Sequence, residues 1–166
     1  GYQADRREMT LQENVPLAPL TTLGVGGKAR FFVEAQSVEE VEEALEFAHK
    51  RSLPIFVLGG GSNIVIADSG FDGLVVAVRI PGITFSNRGE TVLVTVGAGV
   101  VWDEFVAWTI LHGYVGLECL SGVPGTVGGA VVANLGCYGA QTSDTFVSAA
   151  VLDSADEKHT LRVIKK

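Results

Sequence analysis

The sequence predicts an α+β fold in two parts, and three observations carry that reading. Residues 31–58 run strand, helix, strand. The glycine triplet Gly59-Gly60-Gly61 that follows opens into another apolar run and not into a helix. After Val78 the pattern changes to a half-buried strand, one helix, a glycine-dense stretch and a terminal hairpin.

Residues 1–8 are polar and patternless, the only methionine is Met9, and residues 1–10 are set aside as a leader or tag remnant. Residues 11–19 carry two prolines and no periodicity, and are expected to be extended. Gly24-Val25-Gly26-Gly27-Lys28-Ala29 matches G-x-G-x-x-A in form, but it precedes the strand-like Arg30-Phe31-Phe32-Val33-Glu34. A dinucleotide fingerprint opens a helix, so a turn is the better reading. Ser37 and Glu40 have the spacing of a capping box. Val38, Val41, Leu45 and Ala48 then form one apolar stripe on a helix to about Lys50, with Glu39, Glu42, Glu43 and Glu46 on a solvated face. Residues 53–58 are the next strand, expected to pair in parallel with the first across a right-handed crossover. The glycine loop thus lies at the carboxyl end of a strand.

That loop, Leu58-Gly59-Gly60-Gly61-Ser62-Asn63, is the strongest local signal. Glycines leave backbone N–H groups uncovered, so several can converge on an anion. No Lys or Arg lies in residues 54–78, so loop amides alone are expected to meet the charge. Asp68 and Asp72 read as turn residues. Residues 79–90 carry the turn signals Pro81-Gly82 and Asn87-Arg88-Gly89. Val92, Val94 and Val96 alternate as a strand ending at Gly97-Ala98-Gly99. Trp102, Phe105, Val106 and Ile110 have helical spacing, closed by Gly113 as a C′ glycine. Trp102 and Trp108 read as core or lobe-interface residues, not cofactor stackers, and His112 as a helix C-terminal residue. In residues 116–139, glycines interleave with valines, which points to a backbone packed close against something flat. Residues 147–152 and 159–164 bracket Asp153-Ser154-Ala155-Asp156 as a hairpin.

Composition bounds the function. Apolar residues make up 47% and charged residues 19%, which describes a packed domain. The net charge of −7 argues against nucleic acid or an anionic membrane as partner. No apolar run reaches the roughly 18 residues of a membrane span. Cys119 and Cys137 fit neither a zinc pattern nor a disulfide framework, and a reducing cytoplasm is expected. No G-x-S-x-G, HxxxH or CxxC occurs, so no metal ligand is expected. The catalytic inventory is thin and the binding inventory is not. Two glycine-rich segments suit a large cofactor with a pyrophosphate and a flat ring.

Thr22-Leu23-Gly24-Val25-Gly26-Gly27, Leu58-Gly59-Gly60-Gly61-Ser62-Asn63, Gly97-Ala98-Gly99, Gly116-Leu117-Glu118, Ser121-Gly122-Val123-Pro124-Gly125-Thr126-Val127-Gly128-Gly129-Ala130 and Asn134-Leu135-Gly136-Cys137-Tyr138-Gly139 occur in that order. In this serial order the sequence resembles the UDP-N-acetylenolpyruvoylglucosamine reductase family of flavoenzymes over residues 17–163.

The resemblance implies a two-lobed FAD-binding domain of vanillyl-alcohol-oxidase type: a small β-α-β lobe, residues 11–73, and a larger α+β lobe, residues 74–166. The family's pyrophosphate loop maps onto Gly59, Gly60, Gly61, Ser62 and Asn63, beside Leu58. Its flavin-side loop maps onto Ser121, Gly122, Val123, Pro124, Gly125, Thr126, Gly128, Gly129 and Ala130, followed by Asn134, Gly136, Tyr138 and Gly139. NADPH is the implied reductant, and a UDP-sugar the implied substrate, reduced to UDP-N-acetylmuramate for peptidoglycan. Thr21-Thr22-Leu23 stands where the family has Asn-Thr-Phe. The family's substrate arginine, proton-donating serine and enolate-stabilising glutamate have no counterpart here, so no catalytic residue is named. Cys137 is read as packing. The chain is therefore expected to be an FAD-binding portion without its substrate domain, inactive alone and prone to associate through uncovered apolar surface. Another FAD-dependent oxidase or dehydrogenase of the same superfamily, and a non-catalytic nucleotide-binding module, remain the alternatives.

Overall fold

A computed structural model describes residues 9–154 and 160–166. Its first part is a four-stranded sheet in the order β1-β2-β4-β3, built from β1 (Leu11–Pro16), β2 (Lys28–Ala35), β3 (Ile55–Leu58) and β4 (Phe71–Val78). β1 runs antiparallel to β2, while β2 and β3 both run parallel to β4. The expected extended segment at residues 11–19 is thus an edge strand followed by a short 3-10 turn at Ala18–Leu20.

Helix α1 (Val38–Lys50) joins β2 to β3 as the sequence indicates. The Glu40 N–H donates to Ser37 Oγ at 3.2 Å, which caps the helix. The second arm of the box is shifted by one residue: Glu40 Oε2 accepts from the Gln36 N–H at 2.7 Å. One face of the sheet, with Val33, Ala35, Leu74 and Val76, packs on Ala44 and Ala48 of α1. The opposite face, with Ala29, Phe32, Leu58, Val75 and Ala77, is covered by Leu17, Ile64 and Ile66. A sheet apolar on both faces needs cover on both.

The parallel pair expected from residues 31–58 is corrected in one respect. β2 and β3 are parallel, but β4 lies between them and takes hydrogen bonds from both. The reason is composition: residues 73–77 of β4 are all buried, whereas Val57 of β3 is 58% exposed, so the most apolar strand takes the centre. The expected lobe division at 73/74 falls inside β4. The first sheet holds its chain through Val78. Asp72 stands on β4, not in a turn, and meets Arg30 at 3.2 Å on the exposed face.

The second part begins with a hairpin, β5 (Ile83–Arg88) and β6 (Thr91–Val96). β6 was expected. β5 hides behind its turn-type residues Ser86 and Asn87, because it is a surface strand with five of its six positions exposed. Helix α2 (Trp102–Leu111), a 3-10 turn at Glu118–Leu120 and helix α3 (Val127–Ala133) enclose Trp102, Phe105, Val106, Leu120 and Ala130. Trp102 is core, its indole N–H donating to Leu120 O at 3.0 Å. His112 caps α2, stacked on Trp108 with ring centroids 4.1 Å apart. Gly113, at φ +73°, lies one residue beyond that cap. A two-residue-per-strand hairpin, β7 (Gly136–Cys137) and β8 (Ala140–Gln141), leads to the short helix α4 (Thr142–Thr145). The final hairpin pairs β9 (Ser148–Leu152) with β10 (Leu161–Lys165). Its turn residues Ala155 and Asp156, and residues 1–8 of the expected leader, lie outside the described residues. Met9, counted with that leader, packs on the α1 side of the sheet, and its N–H donates to Glu43 Oε2.

Large apolar side chains stay exposed on the second part: Leu111, Val115 and Val132 are each more than 80% accessible. Leu74 is fully buried between α1 and the strands flanking β4. Leu74→Ala should lower unfolding free energy by about 3 kcal/mol, read by thermal or denaturant unfolding.

Candidate functional site

Because β3 and β4 are parallel with Leu58 opposite Ala77, the two strands release their chains at the same edge. The carboxyl end of β3 runs into loop 59–63, and the carboxyl end of β4 into Arg79. Open α/β sheets bind ligands at that edge.

The loop is packed from three sides. A Cβ on Gly60 would stand 2.7 Å from the Gly125 Cα, so the backbones of the two glycine segments touch. A Cβ on Gly61, which has φ +69°, would meet the carbonyl oxygen of Leu20. The Thr22 N–H donates to Gly61 O at 2.9 Å, and Ser62 Oγ makes a long 3.4 Å contact with Pro124 O. The Thr22–Ala29 motif therefore forms a wall. Just before it, the Thr21 N–H and Oγ pin Ala18 O, and within it the Gly27 N–H donates to Ala67 O at 2.9 Å, the chain turning there as the sequence indicates.

Segment 121–130 is fixed by a second set of bonds. The Trp102 N–H donates to Gly125 O at 3.0 Å, the Val127 N–H to Val100 O at 2.9 Å and the Gly128 N–H to Ala98 O at 2.9 Å. Gly97-Ala98-Gly99 thus supplies the strip against which the segment lies. Thr126 caps α3, its Oγ accepting from the Gly129 N–H at 3.3 Å. Asp103 holds the front of the segment: its Oδ1 accepts from Ser121 Oγ at 3.0 Å and from the Gly122 N–H at 2.6 Å. Nearby, the Gly116 N–H donates to Glu118 Oε2 at 2.7 Å. The Glu118 amide first, and then that of Gly116, hold this carboxyl below its ordinary value of 4.5.

The structure thus brings Gly59, Gly60 and Ser62 of the loop against Thr126, Gly125 and Pro124, while Gly61 packs on Leu20. Other expected residues stand apart. Ala130 is buried in the core beside Trp102 and Phe105. Asn134, Gly136, Tyr138 and Gly139 lie beyond the far end of α3, roughly 10 Å of helix away. Asn134 is spent on α4: its Nδ2 donates to Gln141 Oε1 at 3.1 Å, and its Oδ1 accepts from the Ser143 N–H at 2.9 Å. Tyr138 stands at a hairpin tip with φ +50° and is 89% exposed. Cys137 packs at the margin of the second core.

Sequence reasoning missed Asp103, Thr22 and Arg79. Arg79 Nη1 donates to Gly59 O at 2.9 Å and to Val78 O at 3.1 Å. Its signal was its place, one residue past the cation-free stretch and directly after β4. Thr22 opens the first of the serial motifs without being singled out there, and Asp103 carries no comparable sequence mark.

Chemically, the loop presents donors and no side-chain charge of its own. Among the described residues, none of the N–H groups of Gly60, Gly61, Ser62 and Asn63 donates to the protein. Consecutive free amides in a glycine loop make an anion-binding concavity, which fits a pyrophosphate. Among the described residues no three His, Cys, Asp or Glu are grouped to hold a metal ion, and no helix is long and apolar enough to cross a membrane.

Two loops joined backbone to backbone at a parallel sheet edge define a nucleotide-holding domain. The family model for the FAD binding domain matches residues 29–161, and the chain belongs to that family. Within it, the chain is similar to UDP-N-acetylenolpyruvoylglucosamine reductases: 44% identical to that of Cutibacterium acnes over 87% of this chain and 39% of the relative. With that of Pseudomonas putida it shares 43% identity, over 86% of this chain and 42% of the relative. The chain thus spans about two-fifths of the curated relatives it matches. The solved UDP-N-acetylenolpyruvylglucosamine reductase of Thermus caldophilus superposes with a TM-score of 0.76 at 30% identity, over 95% of this chain and 53% of that one. Cholesterol oxidase from Brevibacterium sterolicum, at 15% identity and a TM-score of 0.64 over 95% of this chain and 33% of its own, shares the fold alone. The fold is therefore the vanillyl-alcohol-oxidase type expected from the motifs.

Three outcomes follow from these contacts. Gly60→Ala should drive the two loops apart and abolish ligand-induced stabilisation in a thermal-shift assay. Asp103→Ala should free the Ser121–Gly122 corner, seen as faster amide exchange there, while Asp103→Asn keeps an acceptor and stays near wild type. A depressed carboxylate stabilises above its unfolded pKa and loses that effect as pH falls through its folded value. Protection of the Gly116 amide, taken relative to its intrinsic exchange rate, should accordingly fall as pH drops below the ordinary carboxyl value and through the lowered one.

Proposed function

We propose that this chain is the FAD-holding portion of a reductase that converts UDP-N-acetylglucosamine enolpyruvate to UDP-N-acetylmuramate in cytoplasmic peptidoglycan synthesis, with NADPH as reductant. The observation that carries the reading is the approach of Gly60 to Gly125, which sets four free amides beside the second glycine segment. Similarity to the reductases supports the reaction, and the FAD family supports the cofactor.

In this reading Gly59, Gly60, Gly61, Ser62 and Asn63 hold the pyrophosphate through backbone N–H groups. The segment from Ser121 to Thr126 lies along the ring system, with Gly125 allowing its close approach. Gly128 keeps α3 tight against Ala98 and Gly129 lies against the capping Thr126, and Asn134, Gly136, Tyr138 and Gly139 border the ring's far side. FAD bound there supplies hydride transfer. The residues of this chain bind and orient it and exclude water from the loop junction. The UDP-sugar is met by polypeptide that the longer relatives possess.

Purified chain incubated with FAD and desalted should stay yellow, and release about one equivalent of flavin on denaturation. It should turn over no enolpyruvyl UDP-sugar with NADPH. A colourless protein whose melting temperature FAD leaves unmoved would sink the reading.

A further inference from the structure

The amides that face the anion belong to peptide groups whose other ends are held. A trans peptide is planar, and its C=O and N–H point in opposite directions. Whatever grips the carbonyl of one residue therefore aims the N–H of the next. In loop 59–63 two carbonyls are gripped from behind. Gly61 O accepts from the Thr22 N–H at 2.9 Å, which aims the Ser62 N–H forward. Gly59 O accepts from Arg79 Nη1 at 2.9 Å, which aims the Gly60 N–H forward. The two grips differ in kind, since one donor is a neutral amide and the other a guanidinium.

We propose that Arg79 is the positioning residue and the resident cation of the anion cradle: it orients the Gly59–Gly60 peptide toward a bound pyrophosphate and adds positive charge behind it. The proposal rests on the FAD reading above.

Three features support this. Arg79 is itself fixed, its own N–H donating to Ala35 O at 2.7 Å and its side chain also bonded to Val78 O at 3.1 Å. A Cβ on Gly99 would collide with the Arg79 backbone, so the second part closes over this residue and it is only partly exposed. Among the described residues no acidic side chain forms an ion pair with it, so no described carboxylate neutralises its charge. A partly buried guanidinium bonded only to carbonyls keeps its full field for a neighbouring anion, and a charge-assisted bond is stronger than a neutral one. The −7 net charge gives such a cation more to offset.

The test titrates FAD into wild type, Arg79→Lys and Arg79→Gln by quenching of flavin fluorescence, at several KCl concentrations. Thermal melts run alongside. Arg79→Gln should bind FAD about tenfold more weakly, with a shallower dependence of affinity on salt. Arg79→Lys should restore the salt dependence and part of the affinity. Arg79→Gln that matches wild type in affinity and in salt slope overturns the proposal. So does weakened binding that keeps the wild-type slope, since that pattern marks a residue serving only the fold. If Arg79→Gln does not melt cooperatively, Arg79→Lys decides: a retained slope supports the cation, and a lost slope rejects it. A wild-type chain that binds no FAD overturns the FAD reading and this proposal with it, a pattern distinct from every other outcome.

Discussion

The structure depends on one close approach, that of the Gly60 backbone to the Gly125 backbone. A side chain on Gly60 would hold the loops apart, because its Cβ would stand 2.7 Å from the Gly125 Cα. The two residues lie in different parts of the chain, so this contact joins the four-stranded sheet to the α2–α3 core. The bonds around it act in support. Trp102 N–H to Gly125 O and Thr22 N–H to Gly61 O hold the two segments from opposite sides. The cofactor grip and the joint between the two parts are thus the same few residues. Loosening one loosens the other.

Sheet order makes the approach possible. Inserting β4 between β2 and β3 brings two carboxyl ends to one edge, side by side at the 4.8 Å spacing typical of paired strands. Had β3 paired with β2, the chain leaving β4 would emerge elsewhere, and Arg79 would not reach Gly59. The choice follows from burial, because residues 73–77 are apolar throughout and need neighbours on both edges and cover on both faces. A requirement of the core therefore fixes the geometry of the site.

Local structure was legible in the sequence wherever side-chain type decides it. Ser37 and Glu40 marked the start of α1, the alternation of Val92, Val94 and Val96 marked β6, and the helical spacing from Trp102 marked α2. Pairing was less legible, since the parallel order of β2, β4 and β3 depends on comparing the burial of whole strands. β5 was invisible because an exposed strand needs no apolar alternation, and Ser86 and Asn87 serve a turn as well as a surface strand. The serial motifs located both loops, because close backbone approach demands glycine and glycine is visible. The groups that steady the loops from behind left no such trace. Thr22 acts through its backbone N–H, and Asp103 and Arg79 through side chains that grip the loop segments, at positions that only the fold brings near.

The acidic balance of the chain bears on how an anion could be held at all. A pyrophosphate approaching a molecule of net charge −7 meets repulsion at long range, but salt screens that field within about 8 Å under physiological conditions. Inside that distance the local donors decide, and amide dipoles fixed in advance need no reorganisation when the ligand arrives. Recognition by backbone makes the shape of the loop the carrier of affinity, whereas exposed carboxylates such as Glu39 and Glu46 lie on the outer face of α1. A rigid loop also loses less entropy on binding than a set of long basic side chains, each with up to about 2 kcal/mol of rotamer freedom to give up. Glycine is nevertheless the most flexible residue in an unbound chain, so rigidity has to come from outside the loop. Bonds to Gly59 O, Gly61 O and Gly125 O from three separate elements provide it. A loop with the same glycines and no such bonds would have the composition of this site without its affinity.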